Sequence, residues 1–361
     1  MKISFFDDEP EIYPIQYGGK ARTITNLARE FIKLHEVEEV TILSKSIFSD
    51  KEEFVKDNIR YVVLNDENII KKIAEEINRV DILNIHCCSF TFPNIQGKAK
   101  KMYFLHDVLV TTADRGSHLD KSLGGNFDAI IAPSNFAKSV YDKYKKIING
   151  NTECFTIPRN INTNLFYEPS SEELNNVITR FPKLKEIKND FDYILFFPNR
   201  PIEEKGKKYL IELAQELKKN MKKYCIIGPF SGERELPNNM IDVGWIASSN
   251  LKYYYSISDV TINFSELPES FSQVCIESSY CGTPVVAFKS GNIPYLAKDI
   301  ENICIVDKNL QSILQGINKS IEMKKMVGLK DKVKLDIEDK YSTQKVIKSY
   351  MNLYKKYMEE K

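Results

Sequence analysis

The chain has 361 residues, more than one hydrophobic core usually supports, so we expect two domains. Hydrophobic residues make up 42% of it and charged residues 28%, a composition ordinary for a globular protein. The formal net charge of +1 gives no electrostatic reason to expect a nucleic acid as partner, and no apolar run reaches membrane-spanning length.

The first residues, Met1-Lys-Ile-Ser-Phe-Phe, have the pattern of a strand and not that of a secretory signal. The seven cysteines show no metal-ligand spacing, and with only four histidines a structural zinc site is not expected. Reduced thiols in a cytoplasmic protein are the simplest interpretation.

Short β-branched and aromatic runs alternate with helical patterns along the whole chain, which predicts parallel sheets with crossover helices. The first half has predicted strands near 2–6, 40–43, 59–64, 81–86, 102–105, 128–132 and 153–157. The second half has predicted strands near 192–197, 224–228, 240–243, 259–264, 284–288 and 302–306. We therefore expect an α/β protein of two doubly wound domains, with a cleft between the carboxyl edges of their sheets.

The domain boundaries follow from composition. Glu168-Pro-Ser-Ser and the charged helical pattern after it indicate a linker, so residues 1–167 would form the first domain and 168–340 the second. The last segment, 341–361, carries apolar and aromatic residues on one helical face, among them Tyr350 and Tyr354.

Two segments of the first half place residues suited to ligand binding just after strands. Gly18 and Gly19 precede the first helix, where glycines permit close backbone approach and a helix start can receive a phosphate oxygen. His106 follows the strand near 102–105, so we expect its imidazole at the sheet edge. Taken alone, a double glycine is more often only a turn, and such a histidine is as often satisfied by packing.

Arg200 and Lys205 lie between the apolar strand near 192–197 and a helical pattern that includes Leu210. Arginine offers a planar fork of donors and lysine a compact charge, which together suit a diphosphate. Taken alone, two exposed cations in a loop are the commoner case.

Glu269 and Glu277 stand eight positions apart where a buried strand leads into a helix. We expect Ser270 to cap that helix and Gly282 to end it. If the span is helical, the second glutamate lies within about 80° of the first, so both face one site. Like charges repel, so these carboxylates suit sugar hydroxyls and not phosphate. An isolated pair of this spacing is more often two solvated glutamates.

Together these motifs resemble the donor site of GT-B fold retaining glycosyltransferases of family 4, also described as glycosyl transferases group 1. The resemblance covers nearly the whole chain, densely in the second half and thinly in the first. It implies a GT-B fold, two Rossmann-like domains facing a central cleft, and a final helix that packs back on the first domain.

The resemblance also implies roles for individual residues. In that family the equivalents of Arg200 and Lys205 clamp the donor pyrophosphate, and the equivalent of Glu269 contacts the donor sugar. The equivalent of Glu277 contacts the ribose, and that of His106 contacts the sugar near its reacting carbon. Further binding residues implied in this way are Gly18, Gly19, Gly244, Trp245, Ile246, Ser270, Phe271 and Ser272. We interpret Trp245 as a packing residue within the loop that reads the base, and His86 as structural or as lining the acceptor pocket.

Three features depart from the family pattern. Pro158-Arg-Asn160-Ile-Asn162 replaces a loop of the Asn-Gly-Val-Asp type, Ser272 replaces a common glycine, and the segment after Gly291 lacks a usual glutamate. Asp190 and Asp192 match the metal motif of the other major glycosyltransferase fold, but they precede a strand and so lie at the wrong edge of the sheet for a ligand. No metal and no cofactor is therefore expected.

We expect transfer of a glucose or N-acetylglucosamine type of sugar from a UDP-linked donor to an acceptor hydroxyl, with retention implied only by the resemblance. Residues between about 85 and 120 would shape the acceptor pocket, including Thr111, Thr112, Arg115 and His118. Lysines 143, 145 and 146 are compatible with an anionic membrane surface, although a solvated helix face explains them better. The alternatives are a non-catalytic nucleotide-sugar-binding partner subunit and a GT-B-like sugar epimerase.

Overall fold

The computed structural model of the protein describes residues 1–8, 18–45, 52–86, 94–106, 108, 127–147, 150–233 and 235–359. Within them the chain forms two compact units. The first contains Met1–Asn160 and Thr343–Lys361, and the second contains Ile161–Ser342. The sequence placed the boundary at 167, whereas Ile161 and Phe166 are buried in the core of the second unit.

The first unit is built on an eight-stranded sheet with the strand order β3-β4-β2-β1-β5-β6-β7-β8. All neighbouring strands are parallel except β3 and β4. The strands are β1 Lys2–Asp7, β2 Glu39–Lys45, β3 Glu53–Lys56, β4 Ile59–Leu64, β5 Ile82–Ile85, β6 Lys100–Phe104, β7 Ala129–Ala132 and β8 Glu153–Thr156. The sequence missed β3, because this edge strand is mostly exposed and has no apolar alternation to reveal it.

Helices pack on both faces of this sheet. They are α1 Gly18–Phe31, α2 Ile69–Arg79, α3 Asn135–Ile147 and, from the end of the chain, α12 Thr343–Glu359. On one face α1 and α12 contribute Phe31, Tyr350 and Tyr354 to the core. The other face is covered by α2 and α3. The Tyr354 hydroxyl donates a hydrogen bond of 2.7 Å to Asn84 on β5, which joins the last helix to the centre of the sheet.

The second unit has a six-stranded parallel sheet with the order β11-β10-β9-β12-β13-β14. Its strands are β9 Tyr193–Phe196, β10 Tyr224–Gly228, β11 Met240–Asp242, β12 Val260–Asn263, β13 Val285–Phe288 and β14 Ile303–Val306. Each lies within about two residues of its predicted position. Uninterrupted apolar strands of this kind require cover on both faces.

The helices of the second unit provide that cover. They are α4 Ser171–Arg180, α5 Pro182–Asp190, α6 Lys207–Leu217, α7 Leu251–Ile257, α8 Gln273–Tyr280, α9 Ile293–Asp299, α10 Leu310–Lys325 and α11 Leu329–Tyr341. One face of the sheet is packed by α6 and α10. The other is packed chiefly by α5, α7, α8, α9 and α11. Among the helices of the described ranges, none combines the length and the apolar character needed to cross a membrane.

Candidate functional site

The second sheet reverses its strand order between β9 and β12. From β9 the chain proceeds to β10 and β11 on one side, and it returns to place β12 on the other side. In open α/β sheets ligands bind beyond the carboxyl ends of the strands at such a switch point. Arg200 and Lys205 follow β9 and Glu269 follows β12, so all three lie on the loops that flank this position.

Lys205 and Glu269 contact each other directly. The Lys205 ammonium lies 2.6 Å from Glu269 Oε1 and 3.0 Å from the Ser265 hydroxyl, and that hydroxyl also donates to Glu269 at 2.6 Å. The sequence predicted that Lys205 binds phosphate and Glu269 binds sugar, but it did not predict that they would pair. Nor did it single out Ser265, which no motif marks.

The backbone after Lys205 requires a glycine. Gly206 has φ +84°, and a Cβ at this position would lie 2.5 Å from the carbonyl oxygen of Phe264 on the neighbouring loop. This close approach holds the loop after β9 against the loop after β12, which explains why Lys205 reaches Glu269.

Arg200 differs from Lys205 in its side-chain contacts. Its side chain is exposed, and its guanidinium has no hydrogen bond or ion pair with any residue that the structure describes. An exposed guanidinium on the loop after β9 is available to contact an anionic ligand.

The loop that carries Glu269 is fixed by a segment that sequence reasoning noted only as a departure. The amide of Asn292 donates to the Glu269 carbonyl at 2.8 Å, and its side-chain amide donates to the Phe271 carbonyl at 3.1 Å. Gly291, with φ +54°, passes so close that a Cβ would lie 2.2 Å from the Glu269 carbonyl oxygen. The backbone at Glu269 is therefore held rigidly, as a binding site requires.

The predicted helix start at Ser270 is wrong. Helix α8 begins at Gln273, and the residue before it, Ser272, has φ +71° and makes no capping hydrogen bond through its side chain. The Ser272 hydroxyl instead accepts a hydrogen bond of 2.9 Å from Asn263 at the end of β12. This tertiary contact holds a left-handed backbone where the resembled family commonly has glycine. Ser270, Phe271 and Ser272 therefore precede the helix.

The alignment of Glu269 with Glu277 is expected only if the span between them is helical, and Glu269 lies before α8, so helical geometry does not align the two. That both carboxylates face one site stays a prediction. The side chain of Glu277 is 3% exposed, and its carboxylate accepts a hydrogen bond of 3.2 Å from the buried hydroxyl of Tyr255. Glu277 is thus a buried, oriented carboxylate and not a solvated surface glutamate.

The loop after β11 is organised by Asp242. Its Oδ1 accepts hydrogen bonds from the amides of Phe230 and Gly244, both at 2.8 Å, and its Oδ2 accepts one of 2.9 Å from Ser231. This carboxylate joins the loops after β10 and β11, and sequence reasoning missed it. Trp245 follows directly and is 54% exposed, so its interpretation as a packing residue is wrong.

The first unit has its own switch point, between β1 and β5. Helix α1 begins at Gly18, and Lys20 in its first turn is buried and paired with Asp7 at 2.6 Å. Asp7 ends β1, so this ion pair fixes the helix start at the carboxyl edge of the sheet. The predicted phosphate contact at Gly19 stays a prediction.

His106 lies two residues beyond β6, at the predicted edge. Its ring is half-buried, and each of its two nitrogens contacts another side chain. His106 Nε2 is 2.6 Å from Nδ1 of the fully buried His86, and His106 Nδ1 is 2.9 Å from a guanidinium nitrogen of Arg159. Desolvation lowers the pKa of both imidazoles well below the ordinary value, and the nearby cations Lys20 and Arg159 lower it further.

Other predicted positions are outside or away from this edge. Thr111, Thr112, Arg115 and His118, proposed to line the acceptor pocket, lie outside the described residues. Asp192 precedes β9, and its carboxylate accepts the amide hydrogen of Lys223 at 2.8 Å, so it has a structural role at the amino edge of the sheet. Lys143 and Lys146 are exposed on α3.

Comparisons with known proteins show what the second unit is similar to. Residues 172–333 match the family described as Glycosyl transferases group 1. A protein of Methanocaldococcus jannaschii called an uncharacterized glycosyltransferase is 27% identical over 232 residues, which cover 60% of this chain and 55% of that protein. The match thus spans about half the length of that curated relative.

Solved structures match over nearly the whole chain. Sucrose-phosphate synthase from Thermosynechococcus elongatus has a TM-score of 0.75 and 15% identity, with both chains covered completely. A glycosyltransferase from Rickettsia africae has a TM-score of 0.75 and 19% identity, with 99% of both chains covered. HepE of Anabaena in complex with UDP has a TM-score of 0.73 and 16% identity, covering 99% of this chain and 100% of that one. The predicted GT-B fold is confirmed.

Proposed function

We propose that the protein moves a sugar from a nucleotide diphosphate donor to an acceptor hydroxyl, because residues 172–333 match the family described as Glycosyl transferases group 1. The observation that carries this proposal is the group formed by Arg200, Lys205 and Glu269 at the switch point of the second sheet. Arg200 has no partner among the described residues, and Lys205 can exchange Glu269 for another anion. Glu269 itself is held on a rigid backbone.

The chemistry follows from where charge develops. When the anomeric bond breaks, negative charge accumulates on the departing diphosphate. Arg200 would stabilise that charge directly, and Lys205 would do so after exchanging Glu269 for phosphate oxygens. Loss of one such preorganised donor typically costs about 3 kcal/mol of transition-state stabilisation. The Glu269 carboxylate, released from Lys205, would then accept hydrogen bonds from hydroxyls of the donor sugar.

The remaining parts of the donor have their own contacts in this proposal. Glu277 would hold the ribose, since its carboxylate is oriented by Tyr255 and a buried acceptor suits hydroxyl donors. The loop Gly244–Ile246 would read the base, with Trp245 exposed at its centre. The amide of Gly19 and the imidazole of His106 would contribute from the first unit.

The donor is proposed to be UDP-linked, with glucose or N-acetylglucosamine as the sugar. Support comes from HepE of Anabaena, whose structures were determined with UDP, with UDP-glucose, and with UDP and glucose. Retention of configuration, catalysis without a metal or other cofactor, and a cytoplasmic location belong to the same proposal. The acceptor would be a glycan or glycolipid precursor, a protein or a small molecule.

The test is a screen of nucleotide sugars scored by release of nucleotide diphosphate, with and without chelator, which needs no knowledge of the acceptor. We expect UDP release from a UDP-hexose, unchanged by chelation and lost in Glu269→Ala. Binding of UDP-sugars without any turnover would favour the non-catalytic partner subunit, and epimerised sugar would favour the epimerase. Absence of binding to every nucleotide tried would overturn the proposal.

A further inference from the structure

Three side chains of the first unit form a continuous chain of contacts that no catalytic motif describes. Arg159 follows β8, His106 follows β6 and His86 follows β5, so this series of side-chain contacts runs across the carboxyl edge of the sheet. Its links are 2.9 Å from Arg159 Nη2 to His106 Nδ1 and 2.6 Å from His106 Nε2 to His86 Nδ1. Both distances fall within hydrogen-bond range.

The chemistry of arginine gives this chain a direction. A guanidinium donates hydrogen bonds and cannot accept them, so His106 Nδ1 must be the acceptor. A histidine that accepts at Nδ1 is neutral and carries its hydrogen on Nε2. His106 Nε2 therefore donates to His86 Nδ1, and His86 in turn must carry its own hydrogen on Nε2.

The surroundings of His86 also favour a neutral ring. Its ring is 0% exposed and stacks on Phe104 with centroids 3.9 Å apart, and its Nε2 is buried without a hydrogen-bond partner among the residues that the structure describes. A positive charge on this ring would be costly in an apolar site. Among the residues that the structure describes, the cations acting on the pair are Arg159 and Lys20, and the lysine is itself paired with Asp7 and lies 3.8 Å from Asp8.

We propose that Arg159 is a positioning residue that fixes His106 as a neutral Nε2–H tautomer and points that hydrogen at His86. Arg159 lies in the segment 158–162 that stands in place of the Asn-Gly-Val-Asp type of loop. Its consequence for chemistry rests on the proposed function. If His106 lies beside the donor sugar, its ring supplies position and polarity there and neither gives nor takes a proton.

The first experiment uses the intact protein without any donor, so it is independent of the proposed function. Long-range proton–nitrogen correlation spectra of histidine-labelled protein distinguish the two neutral tautomers and the charged ring. The resonances are assigned with His86→Gln and His106→Gln. We expect both His86 and His106 as neutral Nε2–H tautomers, and an Nδ1–H tautomer at His106 would overturn the proposal.

The second experiment varies Arg159. In Arg159→Met the His106 ring should lose its single tautomer, and its titration midpoint should move up towards the ordinary imidazole value of about 6.5. Arg159→Lys retains a donor and should restore the Nε2–H form. Arg180→Met, at an exposed arginine of the second unit, is the matched control and should change neither. An unchanged spectrum and titration in folded Arg159→Met would reject the proposal. If that variant fails to fold, the wild-type tautomers and Arg159→Lys still decide it.

Discussion

The ammonium of Lys205 lies 2.6 Å from the carboxylate of Glu269, and both side chains are partly open to solvent, at 29% and 17%. In the proposed function, a donor diphosphate would therefore compete with a carboxylate that is already in place. An exposed ion pair contributes about 0.2–1 kcal/mol of stabilising free energy. Breaking it therefore costs little, and a nucleotide can displace the carboxylate from Lys205. In the proposed function, binding of the donor would separate the pair, so that Lys205 contacts phosphate and Glu269 contacts the sugar.

Glu269→Gln should separate nucleotide binding from sugar transfer. Removing the carboxylate frees Lys205, so UDP should bind up to about fivefold more tightly, the equivalent of about 1 kcal/mol. Transfer should fall about tenfold or more, because a hydrogen bond to a charged group contributes about 1.5–3 kcal/mol. Calorimetry and a turnover assay measure the two effects.

The matched control for that variant is Glu266→Gln. Glu266 lies on the same loop but pairs with Lys208 at 3.0 Å, so its replacement should change neither quantity. Weaker UDP binding in Glu269→Gln, or undiminished turnover, would contradict the roles assigned to Lys205 and Glu269.

Arg200→Met should weaken UDP binding without destabilising the protein. The guanidinium has no partner among the described residues, so its loss removes no native interaction there. We expect affinity to fall at least about tenfold, with a loss that shrinks at high salt because exposed charges are screened. Arg180→Met serves as the control at another exposed arginine of this unit. Equal affinities for the two variants would remove Arg200 from the site.

Asp242→Ala should loosen the loop that carries Trp245. Three hydrogen bonds end on this carboxylate, and leaving their donors unpaired costs about 1–3 kcal/mol for each donor that stays buried. Trp245 is the single tryptophan of the sequence, so fluorescence anisotropy reports on the loop directly. We expect lower anisotropy and weaker UDP binding, with partial recovery in Asp242→Asn, which keeps one acceptor oxygen. Unchanged anisotropy would show that other contacts hold the loop.

The first unit should lose stability as the pH falls below about 6.5. Desolvation lowers the pKa of His86 and of His106 in the folded state, while the unfolded chain keeps the ordinary imidazole value near 6.5. Stability is complete above that pH and declines below it, because only the unfolded state takes up the protons. The slope is about 1.4 kcal/mol per pH unit for each histidine.

Hydrogen exchange at the amides of β5 measures this effect locally, which matters because a chain of two units need not unfold in one step. His106→Gln should reduce the change of unfolding free energy per pH unit by about half. Protection that stays constant between pH 7 and pH 5.5 would contradict a neutral pair of imidazoles with lowered pKa.

The periodicity of the sequence predicted every strand of the second sheet, because long apolar runs in a parallel sheet leave little alternative. It missed β3, whose residues are mostly exposed. It also misplaced the start of α8. There Asn263 holds Ser272 at a left-handed φ, a contact between residues that no local pattern links.

The same distinction applies to the site. Motif spacing selected Arg200, Lys205 and Glu269, because they follow recognisable strands, and Glu277, because it stands eight positions after Glu269. Motif spacing could not predict which side chains contact each other. Lys205 and Glu269 are 64 positions apart, and Arg159 and His106 are 53 apart. Asp242 could have been suspected from an acidic residue placed two before a turn glycine, but only the geometry shows that it accepts three hydrogen bonds.

The first unit takes its residues from both ends of the polypeptide, and α12 supplies buried tyrosines to its core. During translation, the ribosome releases β1 to β8 long before residues 343–359 exist. The part of that sheet face which α12 covers must therefore stay exposed, beside α1, while the entire second unit is made. Such exposed surface invites aggregation or chaperone binding, so this protein completes its first half last.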